Sequence, residues 1–386
     1  MQSKDESKRP AQPRYRVPFV SFRSAQKDKQ FDTILKRVRE MYENSQFILG
    51  PQVEAFEQSF AQLAGCAHAV GVNSGTDAMI LALRALGIGP GDEVITVANS
   101  FIASVSAVSL CGATPVLVDV ASDYNIDPDC IEKAIGPKTK AIIAVHLTGL
   151  PCRMDRIEQI SKSANVPVIE DAAQAVGATW AGRRVGGIGK IGCFSLHPLK
   201  NLHVWGDGGV ATTNDPELAE RLRKERNHGL KNRDEVEFFS FNSRLDSVQA
   251  IVGLSAVEML PDVIAQRRKN AALYDSRLRA LKGYLEIPTP DKKAFATYHL
   301  YVVAAERRDA LRDHLDRAGV ETKIHYPIPA HLQEAAKSLG LSRGSLPVTE
   351  ALAGKILSLP IHENLQEAQI LEVCDLIEHF YQRSIA

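Results

Sequence analysis

The sequence has no excess of charge of either sign. Its 46 Lys and Arg residues are matched by 46 Asp and Glu, so the formal net charge is zero. A polyanion-binding surface is therefore not its main business, and nucleic acid is not an expected partner. Missing too is any uninterrupted apolar run of the roughly 20 residues that span a bilayer, so no membrane partner is expected. The opening residues, MQSKDESKRPAQPRYR, lack the apolar core of a secretory signal. Residues 1–16 read as a disordered tail, with a short arm used in dimer contacts as the other reading. None of the six cysteines (Cys66, Cys111, Cys130, Cys152, Cys193 and Cys374) forms a C-x-x-C pair. A disulfide framework or zinc site wants closer and more regular spacing. Reduced, partly buried thiols in a cytoplasmic protein are expected, and no metal.

What is present is ordinary in bulk and specific in pattern. At 386 residues, 45% hydrophobic and 24% charged, the chain can bury the cores of two domains. From about residue 50 to 215, short β-branched runs alternate with helical spacing. The runs are HAVGV (68–72), DEVITV (92–97), TPVLVD (114–119), KAIIAVH (140–146), PVIEDAA (167–173) and GGVATT (208–213). Segments such as TDAMILALRAL and SFIASVSAVSLC lie between them. This alternation predicts an α/β fold with a mainly parallel sheet, and the nearly all-apolar strands predict helices on both faces. Residues 216–275 read as mostly helical, with Pro261 breaking or bending the last helix. Beyond about 280, YHLYVVAAE and GVETKIHY read as strands, and RRDALRDHLDRAG and QEAQILEVCDLIEHFYQR as helices. The expected division is a large domain over 17–260 and a smaller α+β domain over 261–386.

Ligands of open parallel sheets gather beyond the C-terminal ends of the strands, and three features fall there. In HAVGVNSGTDAMILAL a strand turns through Asn73-Ser74-Gly75 into a helix near Thr76. Free N–H groups and hydroxyls at that turn suit a phosphate, although a plain N-cap reads the same way. In VPVIEDAAQAVGA, Asp171 closes an apolar strand where a carboxylate wants a cationic partner, such as a protonated ring nitrogen, unless it caps a following helix. Gln174 lies three residues on. In GKIGCFSLHPLKNLHVWGDGG a strand runs into a polar loop with Lys200, flanked by His197, Asn201 and Trp205. Alone, that lysine is a solvated loop charge; its context points to a ligand.

The segment EDAAQAVGATWAGRRVGGIGKIGCFSLHPLKNLHVWGDGG resembles the signature block of the DegT/DnrJ/EryC1/StrS aminotransferases, pyridoxal 5′-phosphate (PLP) enzymes of fold type I. The resemblance begins near Val17-Pro18-Phe19 and takes in FILGPQVEAFEQSFA, VNSGTDAMILAL, NSRLDSVQA, KIHYPIPAHLQ and LSLPIH. It implies a seven-stranded, mainly parallel sheet covered by helices in the large domain. It implies that Lys200 holds PLP as a Schiff base and later moves protons. Asp171 would pair with the ring nitrogen and Gln174 with the ring hydroxyl. Gly75, Thr76 and Ser195 would hold the phosphate, and Phe101 would stack on the ring. Asn242 matches an asparagine that reaches the neighbouring subunit's phosphate, which implies a homodimer with shared active sites. His325 and Tyr326 match a segment near the sugar substrate, and His197 is given a pocket-lining role. Some members carry histidine in place of the lysine and deoxygenate a sugar; HPLKN keeps the lysine.

The implied reaction takes an amino group from L-glutamate and gives it to a nucleotide-linked keto-sugar, at C3 rather than C4. Arg183, Arg184, Lys231 and Arg244 are candidates for the diphosphate, and Arg244 also for the donor carboxylate, since a guanidinium fork suits one. Two rivals were weighed. A PLP lyase or desulfurase, or another dehydratase-like reaction, keeps the cofactor, and a desulfurase needs a cysteine on a mobile polar loop. A non-catalytic relative that binds sugar nucleotide would want Lys200 or Asp171 lost, and both are present.

Overall fold

The computed structural model describes residues 15–22 and 25–382. Seven strands form the main sheet. Across it they run His68–Val72, Gly209–Thr213, Ile191–Ser195, Val168–Asp171, Thr139–Val145, Glu93–Val97 and Thr114–Val118. The last five of these are mutually parallel. The two at the other edge pair antiparallel. Strands such as Val168–Asp171, buried at every residue, can sit only between helical layers. Helices including Gly75–Ala85 and Met154–Ala164 supply one layer's core, around Met79, Leu83, Ile142 and Ile157. A second core joins Phe56 and Phe60 of the helix Pro51–Ala64 to Phe194, Ile251 and Leu260.

The helix Ser247–Leu278 runs without interruption through Pro261, so the expected break there is absent. Proline costs the helix one hydrogen bond, and packing at both ends offsets that cost. The N-terminal half buries Ile251 and Leu260 against the large core, and the C-terminal half buries Tyr274 and Leu278 against the small one. The expected boundary at 260/261 thus falls within one continuous helix. By length and composition the stretch Ser247–Leu281 resembles a membrane span, but its apolar face is spent on these two cores.

The C-terminal part is built on an antiparallel sheet of Leu285–Glu286, Tyr301–Ala305 and Ile356–Leu359. The helices Arg308–Arg317 and Glu367–Gln382 cover it. GVETKIHY is not a strand; only isolated bridges, Val17 to Val320 and Lys323 to Ser358, touch it. The mostly helical reading of 216–275 holds in the helices Pro216–Glu225 and Ser247–Leu278; residues 226–246 between them form turns, with bridges Leu230 to Val236 and Asn227 to Asn242. Of the expected tail, residues 1–14 lie outside the described residues, while Tyr15 and Arg16 are held. The Tyr15 hydroxyl donates to Asp316 at 2.8 Å and Arg16 pairs with Glu372 at 2.7 Å. The strand Ile356–Leu359 and the helix Pro347–Ala353 had not been expected, being too short to show a period.

Candidate active site

A cavity of about 420 Å³ opens beyond the C-terminal ends of the parallel strands. Successive strand ends furnish its wall: Ser100 and Phe101 after Glu93–Val97, His146 after Thr139–Val145, Asp171 and Gln174 from Val168–Asp171, and Ser195, His197 and Lys200 from Ile191–Ser195. Ser74, Gly75 and Thr76, at the start of the helix Gly75–Ala85, close one end, and His299, His325 and Tyr326 of the C-terminal part close another. The two readings of Lys200 are thereby separated, because it faces a walled cavity rather than open solvent.

Ser74 is the N-cap of the helix Gly75–Ala85, its hydroxyl accepting from Asp77 N–H at 3.0 Å. The Gly75 and Thr76 N–H groups, which have no intrahelical acceptor, are left at the cavity. Glycine is required there: a Cβ on Gly75 would lie 2.8 Å from that of Ser195. Such a cradle of N–H groups and a hydroxyl suits a phosphate. The capped end is braced from outside, since Ser243 Oγ donates to Asp77 Oδ2 at 2.7 Å.

Asp171 is 6% exposed, and no helix follows it. Its Oδ1 accepts from Ala173 N–H at 3.1 Å and its Oδ2 from the Ser104 hydroxyl at 2.7 Å. No ion pair at contact distance among the described residues includes it; the cation it feels in the cavity is the Lys200 amine, whose basicity it raises. A buried carboxylate so held suits a protonated pyridine nitrogen. Gln174 is oriented by Thr148, whose N–H donates to Oε1 at 2.7 Å. This turns Nε2 towards the Tyr326 hydroxyl, 3.3 Å away, and gives the cavity an amide donor. Phe101 is 55% exposed and lies 5.9 Å from the Tyr326 ring, offering a free aromatic face.

The loop of Lys200 is pinned on both sides. Lys200 N–H donates to His197 O at 2.8 Å, and the Asn201 amide donates to Thr297 O at 3.0 Å. Burial lowers the Lys200 amine to about 8, against the pull of Asp171, which raises it. Burial, with the positive charge of Lys200 and Lys323, brings the His325 imidazole down to about 4. His299 is pushed well below its usual range by burial and then by Lys200, Arg267 and its histidine neighbours. Burial and Asp171 raise the Tyr326 phenol, which stays protonated. The cavity thus holds neutral donors around one amine of reduced basicity.

Asn242 and Arg244 do not line this cavity. Asn242 is exposed on the bridge to Asn227, and Arg244 donates to Asn227 Oδ1 at 3.1 Å. Arg183 is paired with Glu158, Arg184 donates to Gly177 O at 2.7 Å, and Lys231 pairs with Glu235 at 3.3 Å. None of these three lines the cavity either. Sequence reasoning missed Ser100 and Ser104, whose fourfold spacing on an apolar helical stretch was the available signal. It also missed Glu170, a second carboxylate in an apolar strand. Buried beside Asp171, it accepts from His146 Nε2 and the N–H groups of Gly186, Ile188 and Gly189, at 2.6–3.0 Å. His299, before the strand Tyr301–Ala305, gave no sequence signal.

The family model for the DegT/DnrJ/EryC1/StrS aminotransferase family matches residues 28–378. A dTDP-3-amino-3,4,6-trideoxy-alpha-D-glucose transaminase of Streptomyces venezuelae is 44% identical over 370 residues, which is 95% of this chain and 97% of the relative. The solved structure of S. venezuelae DesV in complex with a ketimine intermediate superposes with a TM-score of 0.91 at 43% identity, covering 95% of this chain and 98% of that one. NtdA of Bacillus subtilis, solved with bound cofactor PMP, gives a TM-score of 0.84 at 33% identity, covering 91% of this chain and 82% of that one. With matches that span nearly its whole length, the chain belongs to the DegT/DnrJ/EryC1/StrS aminotransferase family.

Proposed function

We propose that the protein is a PLP-dependent transaminase that moves an amino group from L-glutamate to C3 of a nucleotide-linked keto-sugar, in the cytoplasm, as a step of amino-sugar biosynthesis. The observation that carries the reading is the pairing of Lys200, its amine lowered to about 8, with the buried Asp171 carboxylate across one cavity. The Streptomyces relative, a transaminase for a 3-amino dTDP-sugar, supports the substrate class and the position.

The residues present fit PLP. Lys200 Nζ would hold its aldehyde carbon, Asp171 its ring nitrogen and Gln174 Nε2 its ring hydroxyl. Phe101 would lie against the ring, and Gly75, Thr76 and Ser195 would hold the phosphate. When bound, PLP supplies a ring that accepts the electrons left when a substrate amine loses its Cα proton. The chain's own work is to move that proton. Burial, which holds the Lys200 amine near 8, leaves part of it as free base at neutral pH; once displaced by the donor amine, Lys200 Nζ would take the proton from Cα and give it up, from the same side, at the carbon that had carried the aldehyde. Asp171, fixed by Ser104 and Ala173, keeps its charge aimed at the ring nitrogen. His197 lines the mouth, while His325 and Tyr326 wall the side on which the sugar would lie.

Transamination is favoured over a cysteine desulfurase. Burial raises all six thiols above their usual range, and no cysteine lines the cavity. The assembly proposed is a homodimer in which Asn242, exposed and outside its own chain's cavity, serves the neighbour's site. The test is direct. Protein incubated with PLP should turn yellow, and borohydride should fix the cofactor on the peptide containing Lys200. L-Glutamate should bleach the colour, a nucleotide keto-sugar should restore it, and NMR should place nitrogen at C3 of the product. A colourless protein, or colour that no amino acid bleaches, would overturn the reading.

A further inference from the structure

The segment 15–22 does not end at the C-terminal part but crosses it to the cavity. Val17 N–H donates to Gly319 O at 3.1 Å and Val17 O accepts from Glu321 N–H at 3.0 Å. Phe19 N–H donates to Glu321 Oε2 at 3.0 Å, Pro18 O meets His362 Nε2 at 3.2 Å, and Ser21 O accepts from the Asn364 amide at 2.8 Å. So tethered, the strap lays the Phe19 ring on the His325 imidazole, centroids 5.8 Å apart and planes 27° from parallel. His325 also meets the Tyr326 ring edge-on at 5.5 Å, and its Nδ1 lies 2.8 Å from Ser358 Oγ. One imidazole of the cavity wall is thus stacked on by a residue from the N-terminal end of the described chain.

We infer that Phe19 is a positioning residue of the active site, holding the His325 ring upright and dry against the cavity, an inference that rests on the cavity being the transaminase site. The charged and titratable groups around His325 are Lys200, Lys323, His299 and Tyr326, with Glu321 paired to Lys323 at 2.8 Å. The near cations oppose its protonation, and so does the burial that Phe19 helps to supply. Removing the ring admits water to one face of the imidazole and frees it to turn. His325 then takes a proton in a range where the native protein keeps it neutral.

The experiment uses full-length protein with 13C-labelled histidine, the His325 resonance being the one lost in His325→Asn. In the native protein it should titrate near 4. In Phe19→Ala the midpoint should rise by about 1 pH unit, and the acid limb of the L-glutamate bleaching rate should rise with it. Phe19→Tyr, which keeps the ring, should restore both, and Phe19→Leu tests packing alone if the alanine variant folds poorly. An unmoved His325 midpoint in both Phe19→Ala and Phe19→Leu, with native bleaching, overturns the inference. Failure of the native protein to bind PLP strikes instead at the reading of the cavity.

Discussion

The Ser104 hydroxyl donates to Asp171 Oδ2 at 2.7 Å, and Ser100 Oγ lies 2.8 Å behind it. Since Ser104 has only one proton and gives it to the carboxylate, it must accept from Ser100, so the chain of bonds has one direction. All three side chains are buried. A hydrogen bond to a charged group is worth about 1.5–3 kcal/mol, and here it also fixes the rotamer of the carboxylate. Ser104→Ala should slow bleaching by L-glutamate about 10-fold and alter the visible circular dichroism of the bound cofactor. Ser104→Thr should recover both. An unchanged dichroism and rate in the alanine variant would remove Ser104 from the site.

Lys200 carries a pH signature that is separate from turnover. Burial holds its amine near 8 in the native state, while the unfolded chain keeps the ordinary lysine value of about 10.4. Between these values the unfolded state binds a proton that the native state does not, so the PLP-free protein should gain stability as pH rises from about 8 to about 10. Urea titrations at three pH values read this, and Lys200→Met should flatten the rise. The rate of PLP capture by the native protein should climb with pH and level off above about 8, because only the free amine attacks. A capture rate still climbing steeply at pH 10 would place the amine elsewhere.

Gly75→Ala tests the phosphate cradle. The added methyl would sit 2.8 Å from Ser195 Cβ and 3.1 Å from its Cα, and only a shift of backbone can relieve it. Overpacking of this kind costs about 1–3 kcal/mol, and the shift also moves the Gly75 and Thr76 N–H groups. The dissociation constant for PLP should rise about 10-fold or more, with a smaller loss in the stability of the PLP-free protein. Affinity at the native level would exclude this turn from phosphate binding.

The main sheet was legible because its strands are buried on both faces and read as short apolar runs between helical ones. Asp171 and Lys200 were legible because a carboxylate ending such a strand and a lysine in a glycine-rich loop are costly there without a ligand. What escaped depends on tertiary contact. Ser104 and Glu170 are polar atoms whose partners come from other elements, and Phe19 lies far from His325 along the chain. The break expected at Pro261 failed for the opposite reason. Local chemistry argues for a break, and the two cores at the helix's ends override it.

Glu170 illustrates the same point and gives a stability prediction. Its carboxylate gathers the imidazole of His146 and three backbone N–H groups from the turn at 186–189. His146 Nδ1 accepts from Cys152 N–H at 3.0 Å, so its proton is on Nε2, facing Glu170. Glu170→Ala strips four donors of their acceptor, and the two buried ones, on His146 and Gly186, cost about 1–3 kcal/mol each when left unpaired. Unfolding free energy should fall by at least about 2 kcal/mol, measured in urea, and Glu170→Gln should fall less because one acceptor oxygen remains. A native midpoint in the alanine variant would show that water replaces the carboxylate freely.

The proposed sharing of sites between two subunits yields a test by mixing. Asn242 is exposed and absent from its own chain's cavity, while the adjacent Ser243 is tied to the helix start through Asp77. Suppose Lys200→Ala and Asn242→Ala proteins are each inactive alone. If Asn242 serves the neighbouring cavity, a hybrid dimer has one site with both residues and one with neither. Random reassociation makes half of the dimers hybrid, so about a quarter of native activity should return. If Asn242 served its own chain, every site in the hybrid would lack one residue and mixing would restore nothing. The same mixture, assayed after dilution slow enough to allow exchange and again without it, separates subunit sharing from simple refolding of either variant.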